Sequence, residues 1–200
     1  FIEANARLQV EHTVTEAVLG VDLVQAQIRV AAGATLGELG LAQADVPRPR
    51  GYAIQLRVNM ETMDETGATH PSAGTLAAFQ PPAGPGIRVD SFGYAGYRVS
   101  NAFDSLLAKV IAHSPSPRFA DTAAKARRAL REFRIDGVAT NIGFLEALLE
   151  HPEFVANRVS TRFIDEHAAE LGGVGHRGAR LYVELPDDAS ANGAQSAATP

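Results

Sequence analysis

Cysteine is absent from all 200 residues, which excludes both disulfides and thiolate metal sites. That absence fits a reducing, cytoplasmic setting. A basic excess is also missing: the formal net charge of −5 argues against a general nucleic-acid binder. No apolar run approaches the ~20 residues that a membrane helix needs, so no membrane partner is expected. The chain opens on Phe1-Ile2-Glu3, without an initiator Met or a basic n-region, so no signal peptide is expected. Because it opens inside an apolar–polar alternation, we expect it to be cut from something longer. It contains no G-x-x-x-x-G-K-[ST] or other phosphate-cradling loop, and no internal repeat. Its histidines (His12, His70, His113, His151, His167 and His176) are scattered along the chain and suggest no metal set.

What is present is enough for one sizeable core with a smaller neighbour, since 46% of the residues are hydrophobic and 20% charged. Residues 1–10 alternate: Ile2, Ala4, Ala6, Leu8 and Val10 against Glu3, Asn5, Arg7 and Gln9. Period two predicts a strand with one core face and one polar face. Apolar residues at helical spacing follow Thr13. Gly20 divides them into two short helices, and Gly33 is a stop. Pro47-Arg48-Pro49-Arg50-Gly51 reads as an extended connector.

Short strands are expected next, over 53–59, 74–79, 87–90 and 106–112, with a turn at Pro81–Gly86. Helices return over 117–133, 141–149 and 161–171, the second capped by Thr140 or Asn141. Strands first and helices after point to an α+β fold. From Gly172 the composition is that of a flexible linker, apart from Arg180–Leu185. Asp104 and Lys109 are expected to pair or cap locally. The basic face of the long helix (Arg118, Lys125, Arg127, Arg128, Arg131, Arg134) is expected to be solvated or part of a subunit contact.

The polar face of the first strand carries candidate chemistry. Successive side chains there lie roughly 6.6 Å apart in an extended chain. A carboxylate beside an amide oxygen, as in Glu3 and Asn5, suits a hard divalent cation. Arg7 could hold a planar oxyanion through its fork of donors. Glu11 lies about 13 Å beyond Arg7 when extended, and reaches the same substrate only if the chain bends near Val10. Spacing alone favours a solvated strand face over cation or oxyanion binding.

The string from Phe1 to Glu16, FIEANARLQVEHTVTE, closely resembles the signature of biotin carboxylases, the C-terminal segment of their ATP-grasp fold. Three more stretches match in order. These are Arg50–Asn59 with His70–Gly74, then Gly86–Asp90 through Tyr94–Tyr97 to Phe103–Lys109, and lastly Ile135–Asn141. The resemblance covers about residues 1–170. It implies the end of an ATP-grasp domain over 1–46, an antiparallel-sheet-plus-helices biotin carboxylase C-terminal domain over 47–171, and a linker-like tail over 172–200.

The family uses ATP to phosphorylate bicarbonate, and the CO₂ released from carboxyphosphate is captured by the biotin enolate. By position, Glu3 and Asn5 resemble ligands of Mg²⁺ (or Mn²⁺). Arg7, Gln9 and the Val10 N–H resemble the bicarbonate pocket, and Glu11 the general base. Arg88 resembles the arginine that stabilises the biotin ureido oxygen. The resemblance also implies three partners: an upstream ATP-grasp segment carrying most of the ATP site, a biotin carboxyl carrier domain, and a second subunit in a homodimer. Without that upstream segment the isolated chain is expected to be inactive. Glu61–Thr69 departs from the family's acid-rich loop and is read as a variable surface loop.

The tail favours a multidomain acyl-CoA carboxylase acting on acetyl-CoA or propionyl-CoA, although pyruvate and urea carboxylases share this half-reaction. Two other readings stand beside it: another ATP-grasp ligase that activates bicarbonate or a carboxylate, and a non-catalytic module for dimerisation or carrier docking.

Overall fold

The computed structural model describes residues 3–100 and 102–176. Phe1, Ile2 and most of the linker-like tail, including Arg180–Leu185, lie outside the described residues. The fold is α+β, as the grouping of strands and helices predicts.

Its centre is a three-stranded antiparallel sheet of β1 (Tyr52–Asn59), β8 (Leu106–Ser114) and β6 (Ile87–Ser91), with β8 in the middle. Five other short strands lie between β1 and β6 or between β6 and β8: β2 (Glu61–Met63), β3 (Thr69–Pro71), β4 (Gly74–Thr75) and β5 (Ala78–Gln80) before β6, and β7 (Arg98–Val99) after it. Strand period sorts the sheet's side chains. Ile54, Leu56 and Val58, Ile87 and Val89, and Ala108, Val110 and Ala112 turn to one face, and all join the main core. Against that face packs α3 (Phe119–Glu132), whose Ala123, Ala126, Ala129 and Leu130 are buried at i, i+3 and i+4 spacing. Small alanines let the helix approach closely, while Phe133 and Leu130 fill the space between.

The next helix, α4 (Ile142–Glu150), covers α3. Neither expected residue caps it through a side chain. Asn141 instead clamps β1: its Oδ1 accepts from the Asn59 N–H at 2.9 Å and its Nδ2 donates to the Arg57 carbonyl at 3.1 Å. Those groups sit where the β1–β8 register shifts at Val58/Asn59, so the amide satisfies backbone that the ladder leaves.

The strand expected over 74–79 is split. Its first part, β4, pairs with β7, and β5 pairs with β9 (Arg134–Asp136). Between them Leu76 is fully buried, with Met60, Val99 and Leu107, in a second small core. The chain changes partner at that residue because its side chain must go inward.

The expected 161–171 helix is likewise two short turns, α6 (Phe163–Glu166) and α7 (Ala168–Leu171), after α5 (Pro152–Val155). Of the basic face on α3, Arg118, Arg127, Arg128, Arg131 and Arg134 pair with neighbouring carboxylates. Lys125 donates to the His113 and Pro85 carbonyls.

At the start of the chain, α1 (His12–Leu19) and α2 (Leu23–Ala31) are separated at Gly20, whose φ of 69° ends the first helix in the left-handed region. The strand expected over 1–10 does not form among the described residues. No ladder joins residues 3–10, Leu8 is exposed, and the Arg7 N–H turns back to the Asn5 carbonyl at 2.8 Å. Alternation sets the two faces of a strand, but a strand also needs a neighbour for its N–H and C=O groups.

Candidate functional site

The face of the sheet turned away from α3 is polar, and α1 lies against it. β1 presents Gln55 and Arg57 there, β6 presents Arg88 and Asp90, and β8 presents Lys109, Ile111 and His113. The ladder sets these in rungs: Arg57, Lys109 and Asp90 lie side by side, as do Gln55, Ile111 and Arg88. Residues 10–16 dock along these rungs. Lys109 Nζ donates to the Val10 carbonyl at 3.4 Å and Arg57 donates to the Glu11 carboxylate at 3.2 Å. The Thr13 hydroxyl donates to the Gln55 side-chain oxygen, and Arg88 Nη1 donates to Glu16 Oε2 at 2.9 Å.

Arg88 is the best anchored of the candidate residues. Beside its bond to Glu16 it forms a two-pronged pair with Asp90, Nε to Oδ1 at 2.7 Å and Nη2 to Oδ2 at 3.0 Å. Such a fork fixes the plane of the guanidinium as well as its position. The hydrogen bond to Asp90 raises the Arg88 pKa most; partial burial opposes the rise, and the bond to Glu16 adds to it. Asp90 also takes Lys109 at 3.1 Å. Burial pushes its carboxyl up, but the hydrogen bonds from Arg88 and Lys109 outweigh that and hold it below its ordinary value. Asp104 caps locally, accepting from the Leu106 N–H at 2.8 Å, while Lys109 pairs across the ladder.

A cavity of about 500 Å³ opens between α1 and the sheet beside this arginine, lined among others by Thr13, Glu16, Gly86, Arg88, Ile111 and His113. Its lining therefore combines a fixed cation and a carboxylate with apolar Ile111.

The first-segment candidates are less constrained. The Asn5 amide meets the Glu3 carboxylate at 3.1 Å, so the two side chains face one another. Turning the amide end for end would offer two oxygens together, a donor set that fits a hard divalent cation. Arg7 is exposed and bonds weakly to the Leu8 carbonyl at 3.4 Å. The Gln9 carbonyl receives the His12 N–H at 3.3 Å and His12 Nδ1 at 2.6 Å, so that histidine is a structural hydrogen bonder. The chain does turn at Val10–Glu11 before entering α1. Arg88 is nevertheless reached from Glu16, and not from Arg7 or Glu11.

Three residues of this site carried no role in the sequence, Glu16, Arg57 and Asp90, and Lys109 carried only a local pairing or capping one. Asp90 was within reach, because it follows Arg88 by two on one strand and must share its face. Arg57 and Lys109 depend on the β1–β8–β6 register, and Glu16 on how α1 crosses it.

The family model described as biotin carboxylase C-terminal domain matches residues 55–166, and that of the carbamoyl-phosphate synthase L chain, ATP binding domain, matches residues 1–39. Pyruvate carboxylase 1 of Caenorhabditis elegans is 50% identical over 168 residues, which are 84% of this chain and 14% of that protein. The chain thus spans about one seventh of the length of the curated relatives it matches. Among solved structures, a single-chain, multi-domain long-chain acyl-CoA carboxylase superposes with a TM-score of 0.78 at 47% identity, covering 84% of this chain and 18% of that one. The biotin carboxylase domain dimer of Hydrogenobacter thermophilus 2-oxoglutarate carboxylase, in complex with MgADP, ADP and bicarbonate, superposes with a TM-score of 0.77. It is 37% identical and covers 88% of this chain and 37% of that one.

Proposed function

Because the chain belongs to the biotin carboxylase C-terminal domain family, we propose that it supplies the bicarbonate and biotin side of an ATP-dependent biotin carboxylase. The observation that carries this reading is the docking of residues 10–16 along one polar sheet face, by four side-chain bonds that end at Arg88. That docking joins the segment that resembles the ATP-grasp signature to the strand that bears the candidate biotin-binding residue.

In this reading Arg7, Gln9 and the Val10 N–H bind bicarbonate, and Glu11 takes its proton. Arg57 fixes the Glu11 carboxylate. Arg88, held rigid by Asp90 and Glu16, offers its guanidinium to the negative charge that develops on the biotin ureido oxygen. A donor that is already oriented before the reaction is worth most in such a role. Glu3 and Asn5 would hold Mg²⁺ or Mn²⁺, which neutralises phosphate charge during phosphoryl transfer. Residues 1–46 belong to the end of an ATP-grasp domain, 47–171 to the C-terminal domain, and 172–200 to a linker toward a biotin carrier domain.

A homodimeric, cytoplasmic enzyme with an acetyl-CoA or propionyl-CoA acceptor completes the proposal. The dimer is supported by the Hydrogenobacter thermophilus relative and the acyl-CoA acceptor by the long-chain acyl-CoA carboxylase. The pyruvate carboxylase relatives support a pyruvate acceptor equally, and three of them are mitochondrial by name. Among the described residues no helix is long and apolar enough to cross a membrane.

The test supplies an upstream ATP-grasp segment and assays bicarbonate-dependent ATP cleavage with free biotin. Biotin-stimulated turnover should fall by about 100-fold or more in Arg7→Ala and in Glu11→Ala. Turnover indifferent to biotin would point instead to another ATP-grasp ligase. A well-folded complex without turnover would point to a dimerisation or carrier-docking module.

A further inference from the structure

Two of the scattered histidines meet in space. His151 lies at the junction of α4 and α5, and His167 at the junction of α6 and α7, with Glu170 one turn further along α7. One ligand atom from each of these three residues lies within 4.8 Å of the other two. We propose that His151, His167 and Glu170 form a binding site for a borderline transition cation, Zn²⁺ foremost.

The hydrogen bonding of His167 is the leading argument. Its Nδ1 lies 2.9 Å from the Phe163 carbonyl, which can only accept, so Nδ1 carries the proton. In the neutral ring Nε2 is then a lone pair, and it faces Glu170 Oε1 at 3.5 Å. That contact sets two acceptors face to face unless Nε2 takes up a second ring proton or a metal cation lies between them. A backbone carbonyl on the far ring nitrogen is also the usual outer support of a metal-bound histidine.

The geometry agrees. Bonds of ~2.0–2.1 Å in a tetrahedral site place neighbouring ligand atoms about 3.4 Å apart. The two edges to Glu170 Oε1 are 3.2 Å from His151 Nε2 and 3.5 Å from His167 Nε2.

The surroundings favour a cation. Phe163 stacks on His167, with centroids 4.5 Å apart, and stands edge-on to His151 at 4.9 Å, giving the imidazoles an apolar wall. An adjoining cavity of about 230 Å³ is lined by Glu146, Glu150 and Glu170; Arg127 and Arg131 pair with Glu150, and Arg131 and His176 lie against Glu146. Two imidazoles with one carboxylate select Zn²⁺, Co²⁺ or Ni²⁺ over Mg²⁺, which prefers oxygen alone. The site therefore differs in chemistry from Glu3 and Asn5. Coordination costs one long bond: His151 Nδ1 now accepts from the Glu153 N–H at 3.3 Å, and must take up the ring proton when Nε2 turns to the metal.

The test titrates Zn²⁺ into the metal-free 200-residue chain by calorimetry, with Co²⁺ as a visible-absorption probe. One ion should bind per chain at micromolar or tighter affinity, shift the Glu153 amide resonance, and displace Co²⁺ from a tetrahedral spectrum. Free Zn²⁺ at 100 times its dissociation constant should move the folding equilibrium about 100-fold toward the native state. Glu170→Gln changes a side chain that is 55% exposed and leaves the fold intact. It should weaken binding by at least about tenfold. His176→Gln, next to the same cavity, should not change it. Absence of 1:1 binding, or unchanged affinity in the folded Glu170→Gln variant, overturns the proposal. The readout does not depend on carboxylation.

Discussion

Asp90 sits between Arg88 and Lys109, and its carboxyl is held below its ordinary value. A group whose folded pKa is depressed adds stability above its unfolded pKa of about 3.9. That stability is lost as pH falls through the lower folded value. Urea midpoints measured from pH 7 down to pH 2.5 should therefore drop more steeply below about pH 4 in the native chain than in Asp90→Asn. The same substitution releases Arg88 from its fork. In an assembled enzyme it should lower biotin-dependent turnover while leaving the Arg88 charge in place, which makes Asp90 a positioning residue. Arg88→Lys probes the same point from the other side, because a lysine keeps the charge but cannot form the two-pronged pair. Arg57 and Glu11 are both about half exposed. Their pair contributes about 0–1 kcal/mol, so its role is to place Glu11 and not to hold the fold.

Among the elements, the connection from the first segment to β1 leaves no room for a side chain at its end. Gly51 has φ 67°, and a Cβ there would lie 1.9 Å from the Ser114 carbonyl oxygen, at the paired end of β1 and β8. Backbone faces backbone, so neither side can yield. Gly51→Ala should cost about 2–4 kcal/mol, combining left-handed strain with the displaced ladder. Gly20 has nearly the same φ, but a Cβ there meets only the tip of Arg50 at 3.3 Å. Gly20→Ala should cost only about 1–2 kcal/mol, since strain is its whole effect. Denaturant unfolding of the two variants separates them, and equal losses would mean that the close approach at Ser114 is not rigid.

At the scale of the whole molecule, the sheet has two unlike faces. One is closed by α3 and α4 into the main core; the other carries charge and receives α1. The second face is where the candidate chemistry gathers. It is completed by residues 10–16, while residues 3–8 are exposed beyond it. α2 has no buried residue, and Ile28 on it is 65% exposed. An apolar helix face in that state is expected where a further domain packs. With no phosphate-cradling loop in its sequence, the chain by itself should show no saturable micromolar ATP binding by calorimetry. Addition of an upstream ATP-grasp segment should restore it.

Several features were legible from the residues alone. Gly20 divides the first two helices because left-handed backbone suits glycine, and the period of β1, β6 and β8 sorts their side chains into core and polar faces. The order of four collinear stretches carried the family. Other features belong to tertiary structure, because they depend on which backbone lies beside which. Residues 3–10 alternate like a strand but have no ladder partner among the described residues. Asn141 satisfies the Asn59 and Arg57 backbone instead of capping its own helix. Lys109 finds Asp90 across a ladder instead of the nearer Asp104. His151 and His167, sixteen positions apart in sequence, meet only because the chain folds back between α5 and α7. Local pattern determined faces and breaks through steric and solvation preferences that act within a few residues. Register and the crossing of α1 decided the site, since they bring together groups whose spacing along the chain carries no trace of their contact.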